Sequence, residues 1–311
     1  MKPRISVVMS VYNAEKYVRD SIESILNQTY SDFEFIIIED CSEDKTLEII
    51  ESYSDNRIKL IKKVRNKGFK GFVENLNIGL DESRGDFIAR MDADDIASLD
   101  RFDKQVKFLN NNPSIFMVGS SMNLIDENNN FIKKKYALNN HSDIVNRFNI
   151  DNPMFHPTLM FRKTDIRYND NYKGAEDFDF HLQHLSIKKK FANIDECLLN
   201  YRVLDDSLSR IDNKLINRII LEFSRDQFVM RKENKSELDY NLEKLVNYRT
   251  ENLSLKEKIY ILKIALKYNS SEYKDLLKIF NVKSLRLLIF ENENIRNIAS
   301  KFLLKRIQKI K

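Results

Sequence analysis

The sequence predicts an α/β protein with a mostly parallel sheet and helices on both faces. Three observations predict it. Short continuous apolar runs, rich in β-branched residues, recur at 5–10, 33–38 and 86–91, the signature of strands buried on both faces. Stretches with apolar residues at helical spacing separate them. The polar residues with chemical potential cluster directly after these runs, where ligands of open α/β sheets bind.

Taken in order, residues 5–10 form the first strand. Residues 14–28 are helical, with Tyr17, Val18, Ile22, Ile25 and Leu26 on the apolar stripe, and 33–38 are a second buried strand. Residues 44–53 are a short helix with Leu47, Ile49 and Ile50 inside. Residues 57–62 are a strand, 69–80 a helix, 86–91 a strand and 99–109 a helix. This alternation is most economically a parallel sheet with right-handed crossovers. Three loops then share the carboxyl edge: Val11-Tyr12-Asn13, Glu39-Asp40-Cys41-Ser42 and Asp92-Ala93-Asp94-Asp95.

After Pro113 the rhythm changes. A strand at 115–125, a polar turn at 126–130 and a partner strand at 131–135 are expected, then an irregular stretch to 152. Strands at 154–162 and 191–194 flank a helix at 177–189. From about 212 the pattern is helical only, so a domain of residues 1–210 and a helical region of 211–311 are expected.

The chain has 311 residues, 42% hydrophobic and 32% charged, enough for a sizeable core. Its net charge of +5 is too mild to imply nucleic acid. Two cysteines, Cys41 and Cys197, give no disulfide framework or metal spacing and read as structural. No signal peptide and no 18-residue apolar stretch are evident, so a cytoplasmic protein is expected. Neither GxGxxG nor GxxxxGK[ST] occurs, and Gly totals only six. Phosphate would have to be met through a metal or basic side chains, not a Gly-rich loop.

The candidate residues each carry two readings. Asp92 and Asp94 are hard oxygen donors of the kind that hold Mg²⁺ or Mn²⁺ together with a substrate diphosphate. The other reading makes Asp94 or Asp95 the cap of the 99–109 helix. Asp40, beside Glu39, either accepts hydrogen bonds from a base or ribose or caps the helix near residue 44. Glu176, Asp177 and Asp179 open a helix, where its dipole favours carboxylates; one of them could equally be a general base. His156, ahead of Pro157 and an apolar run, is a site candidate. His181 and His184 form a lone HxxH, too weak a pattern to imply a metal pair.

Together these segments resemble the family 2 glycosyltransferases, nucleotide-sugar-dependent inverting enzymes of the GT-A fold. The likeness runs over residues 3–210. It is carried in order by ISVVMSVYNAEKYVRDSIESILNQTYSDFEFIIIED, LNIGLDESRGDFIARMDADD, DRFDKQVKFLNNNPSIFMVGSSMNLID, FHPTLMFRK, AEDFDFHLQ and YRVLDDSLS. The resemblance implies that Val11, Tyr12 and Glu15 line the nucleotide pocket and that Asp40 bonds the base, with a UDP-sugar favoured. It implies that Asp92 contacts the ribose or shares the metal, that Asp94 holds Mn²⁺ or Mg²⁺ on the diphosphate, that Asp177 is the base with Glu176 beside it, and that His156 sits near the acceptor. A glycan or lipid-linked acceptor in surface polysaccharide synthesis would follow. Glu39 stands where Asp is commoner, Cys41 where Gly is common, and Leu204 where His is frequent, which puts a third metal contact in doubt. A sugar-1-phosphate nucleotidyltransferase and a non-catalytic nucleotide-binding scaffold subunit are the alternatives. The last eleven residues, KFLLKRIQKIK, are basic and amphipathic. They either lie on the inner face of the cell membrane as a peripheral contact or pack on their own domain.

Overall fold

The computed structural model describes residues 2–172, 174–204, 214–236, 238, 242–247 and 253–268. In chain order these hold β1 (Ile5–Val11), α1 (Val18–Leu26), β2 (Phe33–Glu39), α2 (Thr46–Glu51), β3 (Ile58–Lys62), α3 (Phe69–Glu82), β4 (Phe87–Asp92), β5 (Ile96–Ala97), α4 (Arg101–Asn111), β6 (Ile115–Ile125), β7 (Phe131–Lys135), α5 (His141–Arg147), a 3₁₀ turn (His156–Thr158), β8 (Met160–Arg162), α6 (Glu176–Ser186), β9 (Lys190–Arg202), α7 (Lys214–Lys232), α8 (Leu242–Val246) and α9 (Leu255–Lys267). The expected basic helix at 301–311 and residues 205–209 of the YRVLDDSLS segment lie outside the described residues.

One sheet runs β3-β2-β1-β4-β8-β6-β9-β5, with β7 hydrogen-bonded to β6. The first four strands are mutually parallel, as their apolar runs predict. β8 is antiparallel to both β4 and β6, and β9 is parallel to β6. Strand alternation sorts the side chains to two layers. Ile5, Val7 and Met9 join Phe35, Ile37, Ala89 and Met91 in a core with Val18, Ile22 and Ile25 of α1, Ile50 of α2, and Phe102 and Val106 of α4. On the opposite face, Val8, Ile88, Arg90 and Phe161 meet Leu76 and Leu80 of α3. There α3 lies close on β1: a Cβ at Gly79 would stand 2.1 Å from Val8 Cγ1.

Several expectations are corrected. The strand at 154–162 shrinks to Met160–Arg162, because Pro157 lacks an N–H for a ladder and instead starts the 3₁₀ turn. The strand at 191–194 extends to Lys190–Arg202, since register shifts along β6 let the polar Asp195 and Glu196 stay outside while Leu198 and Leu199 return to the core. The two-residue β5 and helix α5 lie where no element was expected. Leu99 precedes α4 and is 58% exposed, not part of its apolar stripe.

The described chain divides into two compact units, Met1–Arg210 with Ser224–Glu237, and Ile211–Phe223 with Leu238–Lys311. The second has its own core of Leu215, Ile219, Phe223, Leu245, Ile261 and Leu262, and Glu222 accepts hydrogen bonds from Lys267 Nζ at 2.6 Å and Tyr268 Oη at 2.5 Å. Among the described residues no helix is long and apolar enough to cross a membrane.

Gly79→Ala tests the close packing of α3 on β1. The helix gains propensity but the methyl group enters space held by Val8, so a net loss of about 1–2 kcal/mol is expected from urea unfolding midpoints.

Candidate active site

The parallel order places the ends of β1, β2 and β4 side by side. The loops after β1 and β2 are zipped together. Asp40 N–H donates to Val11 O at 2.9 Å, Asn13 Oδ1 accepts from Glu43 N at 2.8 Å, and Ala14 N–H donates to Thr46 Oγ1 at 2.7 Å. Glu15 belongs to this zipper: its carboxylate accepts from Lys45 N at 3.0 Å. Val11 is buried and Tyr12 is 45% exposed at the mouth. Asn13 and Cys41 both have positive φ, 46° and 59°. The Cys41 position therefore takes the left-handed backbone that Gly adopts without strain. Glu39 holds that turn through Ser42 N at 2.6 Å and Cys41 N at 3.3 Å.

Asp40 does not cap α2; that end is tied by Asp44, whose Oδ1 accepts from Thr46 N at 2.9 Å. The Asp40 carboxyl is buried, which pushes it above the usual range, and Oδ2 accepts from Asn66 Nδ2 at 3.3 Å. Its Oδ1 lacks a hydrogen-bond partner among the described residues and stands 3.9 Å from Lys63 Nζ.

The turn after β4 is clamped from two sides. Ser21 Oγ donates to Asp92 O at 3.0 Å and Asp95 O at 2.5 Å. Arg202 N–H donates to Asp95 Oδ1 at 2.9 Å, and its Nε donates to Asp94 O at 2.8 Å. Asp95 is thus a buried brace between the turn and β9. Neither Asp94 nor Asp95 caps α4, because β5 intervenes and the residue at the N-cap position is Asp100. That removes the capping account of the acidic turn.

Asp94 is left without an ion pair among the described residues. Burial, then the negative charge of Asp92, pushes its carboxyl up to about 6. Asp95 is driven well above the usual range by burial and the same neighbours. Asp92 pairs with Arg90, whose guanidinium is buried. The other acidic group opens α6. Asp177 accepts from Asn152 Nδ2 at 2.7 Å and Phe178 N at 2.7 Å, and burial lifts it to about 6. Glu176, whose Oε2 has no hydrogen-bond partner among the described residues, is lifted to about 8 by burial and then by Asp177. The Arg90 charge acts on Asp94, Asp95, Glu176 and Asp177 alike, so both groups lie within electrostatic reach of one guanidinium.

His156 Nε2 meets Tyr168 Oη at 2.9 Å, and Tyr168 stacks on Phe180 at 4.1 Å. Burial and the Arg90 charge hold His156 neutral, well below its usual range. His181 and His184 are core residues. Burial depresses them to about 3 and about 4, and His184 is fixed by Phe180 O and Thr164 Oγ1. Among the described residues no three His, Cys, Asp or Glu side chains converge as a metal cluster. The Asp92–Asp94 pair fits a divalent cation in a different way: hard oxygen donors, mutual repulsion, and one or two protein carboxylates as Mg²⁺ usually takes beside phosphate.

Arg90 and Arg202 were assigned no role from the sequence. A signal existed for Arg90: an arginine at a both-faces-buried position of the strand, two residues before the acidic turn.

The architecture is the GT-A fold of glycosyltransferases. The S. aureus TarS 1–349 structure in complex with UDP shares it, with a TM-score of 0.59 at 16% identity, covering 92% of this chain and 78% of that one. The sequence model of glycosyl transferase family 2 matches residues 6–168. An uncharacterised glycosyltransferase of Methanocaldococcus jannaschii is 40% identical over 68% of this chain and 75% of its own length. The O-antigen biosynthesis glycosyltransferase WbnJ of Escherichia coli is 40% identical over 66% of this chain and 82% of its own. The chain belongs to glycosyl transferase family 2 and is a glycosyltransferase.

Glu176 gives a pH test. Its folded-state carboxyl titrates near 8 against 4.5 for the free group. The native state therefore holds the proton more tightly, and stability falls as pH rises through that interval. Glu176→Gln removes this slope. Its melting temperature should exceed that of the wild type more at pH 8 than at pH 5, by the equivalent of about 1–3 kcal/mol.

Proposed function

We propose that this glycosyltransferase moves one sugar from a nucleoside diphosphate donor, a UDP-sugar, to a glycan or lipid-linked acceptor in surface polysaccharide synthesis, by a single inverting displacement. The observation that carries the reading is that the Asp92–Asp94 and Glu176–Asp177 pairs share the field of one buried cation, Arg90, which pairs with Asp92, and that Asp92 also acts on Glu176. The UDP complex of a protein with the same fold supports the uridine choice, and the O-antigen relative supports the polysaccharide assignment.

In this reading Val11 and Tyr12 wall the nucleotide pocket, Glu15 braces it, and Asp40 offers Oδ1 to a base N–H. Asp94, with Asp92, would hold Mn²⁺ or Mg²⁺. That cation, when bound, neutralises charge on the departing diphosphate. Asp177 takes the proton of the acceptor hydroxyl as its oxygen attacks the anomeric carbon and the bond to the diphosphate breaks. A carboxyl near 6 is ionised at neutral pH yet basic enough for the task. Glu176, near 8, keeps its proton, so the pair divides into one base and one acid held neutral. Neutral His156, fixed by Tyr168, orients the acceptor. We place the activity in the cytoplasm, with which the two free cysteines agree.

Melting temperatures with UDP, GDP, dTDP and CDP, each with and without Mn²⁺, test the donor side. A Mn²⁺-dependent rise with UDP is expected, worth about 2.7 kcal/mol at a hundredfold excess over Kd, and lost in Asp94→Ala. No shift with any nucleotide would overturn the reading. Asp177→Asn should keep the nucleotide shift and lower kcat by roughly 10²–10⁴-fold.

A further inference from the structure

β7 differs from the strands around it. It pairs with β6 through Lys135–Met122, Lys134–Asn123, Lys133–Leu124 and Phe131–Ile125, and its other edge faces no strand among the described residues. All five of its residues are exposed. Phe131 is 60% exposed, Ile132 50% and, one residue beyond, Tyr136 71%. The register shift at Leu124 and Ile125 makes Ile132 an extra residue in β7, so Phe131, opposite Ile125, and Lys133, opposite Leu124, take opposite faces. Phe131 thus shares its face with Lys134 and Tyr136, and exposed apolar and cationic side chains interleave along the strand.

Lysines on a free edge guard against strand-to-strand pairing. That accounts for Lys133 and Lys134 but not for two aromatic rings and an isoleucine left in water beside them. Lys135 is already engaged, its Nζ lying 4.5 Å from the Phe155 ring centroid. The run 131–142 contains no acid. At the turn, Asp126 is taken up by the amides of Asn128 at 2.9 Å and Asn130 at 2.8 Å, leaving Glu127 as the exposed carboxylate.

Apolar and aromatic side chains interleaved with lysine match one surface chemistry. Rings and alkyl groups enter the headgroup boundary, while ammonium groups meet lipid phosphates. The location is also specific. β6 pairs with β8 at Val118–Met160, level with Ala89 of β4, and continues to Ile125 past the carboxyl edge. The hairpin thus stands on the edge that carries the acidic groups, tied by Lys135 to the residue before His156.

We propose that the β6–β7 hairpin docks the protein on an anionic lipid surface, with Phe131, Ile132 and Tyr136 entering the interface and Lys133 and Lys134 meeting lipid phosphates. This contact is separate from the basic segment at 301–311 and independent of which donor or acceptor the enzyme uses.

The test is cosedimentation of the full chain with vesicles of phosphatidylcholine alone, or of equal parts phosphatidylcholine and phosphatidylglycerol, at low and high salt. Wild type should sediment with the mixed vesicles, less so at high salt, and not with phosphatidylcholine alone. The double variants Phe131→Ser/Ile132→Ser and Lys133→Glu/Lys134→Glu should each lower the bound fraction by about tenfold. Their melting temperatures should be unchanged, because the replaced side chains are exposed. Failure of wild type to bind mixed vesicles, equal binding to phosphatidylcholine alone, or undiminished binding by both variants would overturn the proposal. So would a dimer in size-exclusion chromatography that both variants abolish without any vesicle binding, since it would name a second copy as the occupant.

Discussion

The carboxyl edge of the sheet is organised by a buried cation. Arg90 lies on β4 with 2% of its surface exposed, and its guanidinium donates to Asp92 and to Met91 O. Isolating such a charge from water would be prohibitive. Asp92, Asp94, Asp95, Glu176 and Asp177 make it tolerable, and Arg90 makes them tolerable in turn. The balance is incomplete. Arg202 also acts on Asp94, and Arg101 feels Asp95 and Asp92, so five carboxyl groups stand against three guanidiniums. Burial first, and then the neighbouring negative charge, pushes the carboxyls of Asp94, Asp95 and Glu176 upward, and the fold carries this as a cost.

Arg101 and Arg202 also hold the frame in which that balance exists, and neither does so as a simple ion pair. Arg101 is fully buried at the start of α4, and its guanidinium donates to Arg90 O at 2.8 Å and Leu159 O at 3.3 Å. It thus joins β4 to β8 where the sheet changes from parallel to antiparallel. Burial lowers it to about 9, still charged at neutral pH. Arg202 reads carbonyls instead: Asp94 O, Asp126 O and Glu127 O, with Tyr17 beneath its guanidinium at 4.4 Å. A lysine could not span these acceptors, because it lacks the planar fork. The acidic turn is therefore rigid before any ligand binds, which keeps reorganisation cost low at a site that works by electrostatics.

The parallel half of the sheet was legible because strands buried on both faces spell themselves as continuous apolar runs, and β1, β2 and β4 do so. β5 was not, since two residues carry no period, and β8 was expected too long, since the apolar residues of the 3₁₀ turn before it read as strand. β9 was half legible: its bulges let polar residues into a strand, and Asp195 and Glu196 then read as its end. The same limit applied to the candidate residues. Capping and metal readings of the acidic turn were equal in the sequence, and the intervening β5 removes only the capping one. Cys41 in place of a common Gly was visible, but the left-handed backbone that gives the exchange its meaning was not. Buried arginines were hardest to find, since an arginine in a strand is ordinarily assigned to the surface.

One reversed strand explains why segments 60 or more residues apart share a site. Ligand groups of a purely parallel sheet come only from loops that leave its carboxyl edge. β8 runs antiparallel to β4, with Met160 opposite Ala89 and Arg162 opposite Phe87. Its leading segment, not its trailing one, therefore lies at the edge where β4 ends. That segment carries His156, and Asn152 just before it reaches Asp177 at 2.7 Å. A parallel β8 would put the same residues at the opposite edge, and Arg90 would face the acids of one strand alone. The antiparallel turn of a three-residue strand thus converts a one-sided, donor-type edge into an edge served from both directions.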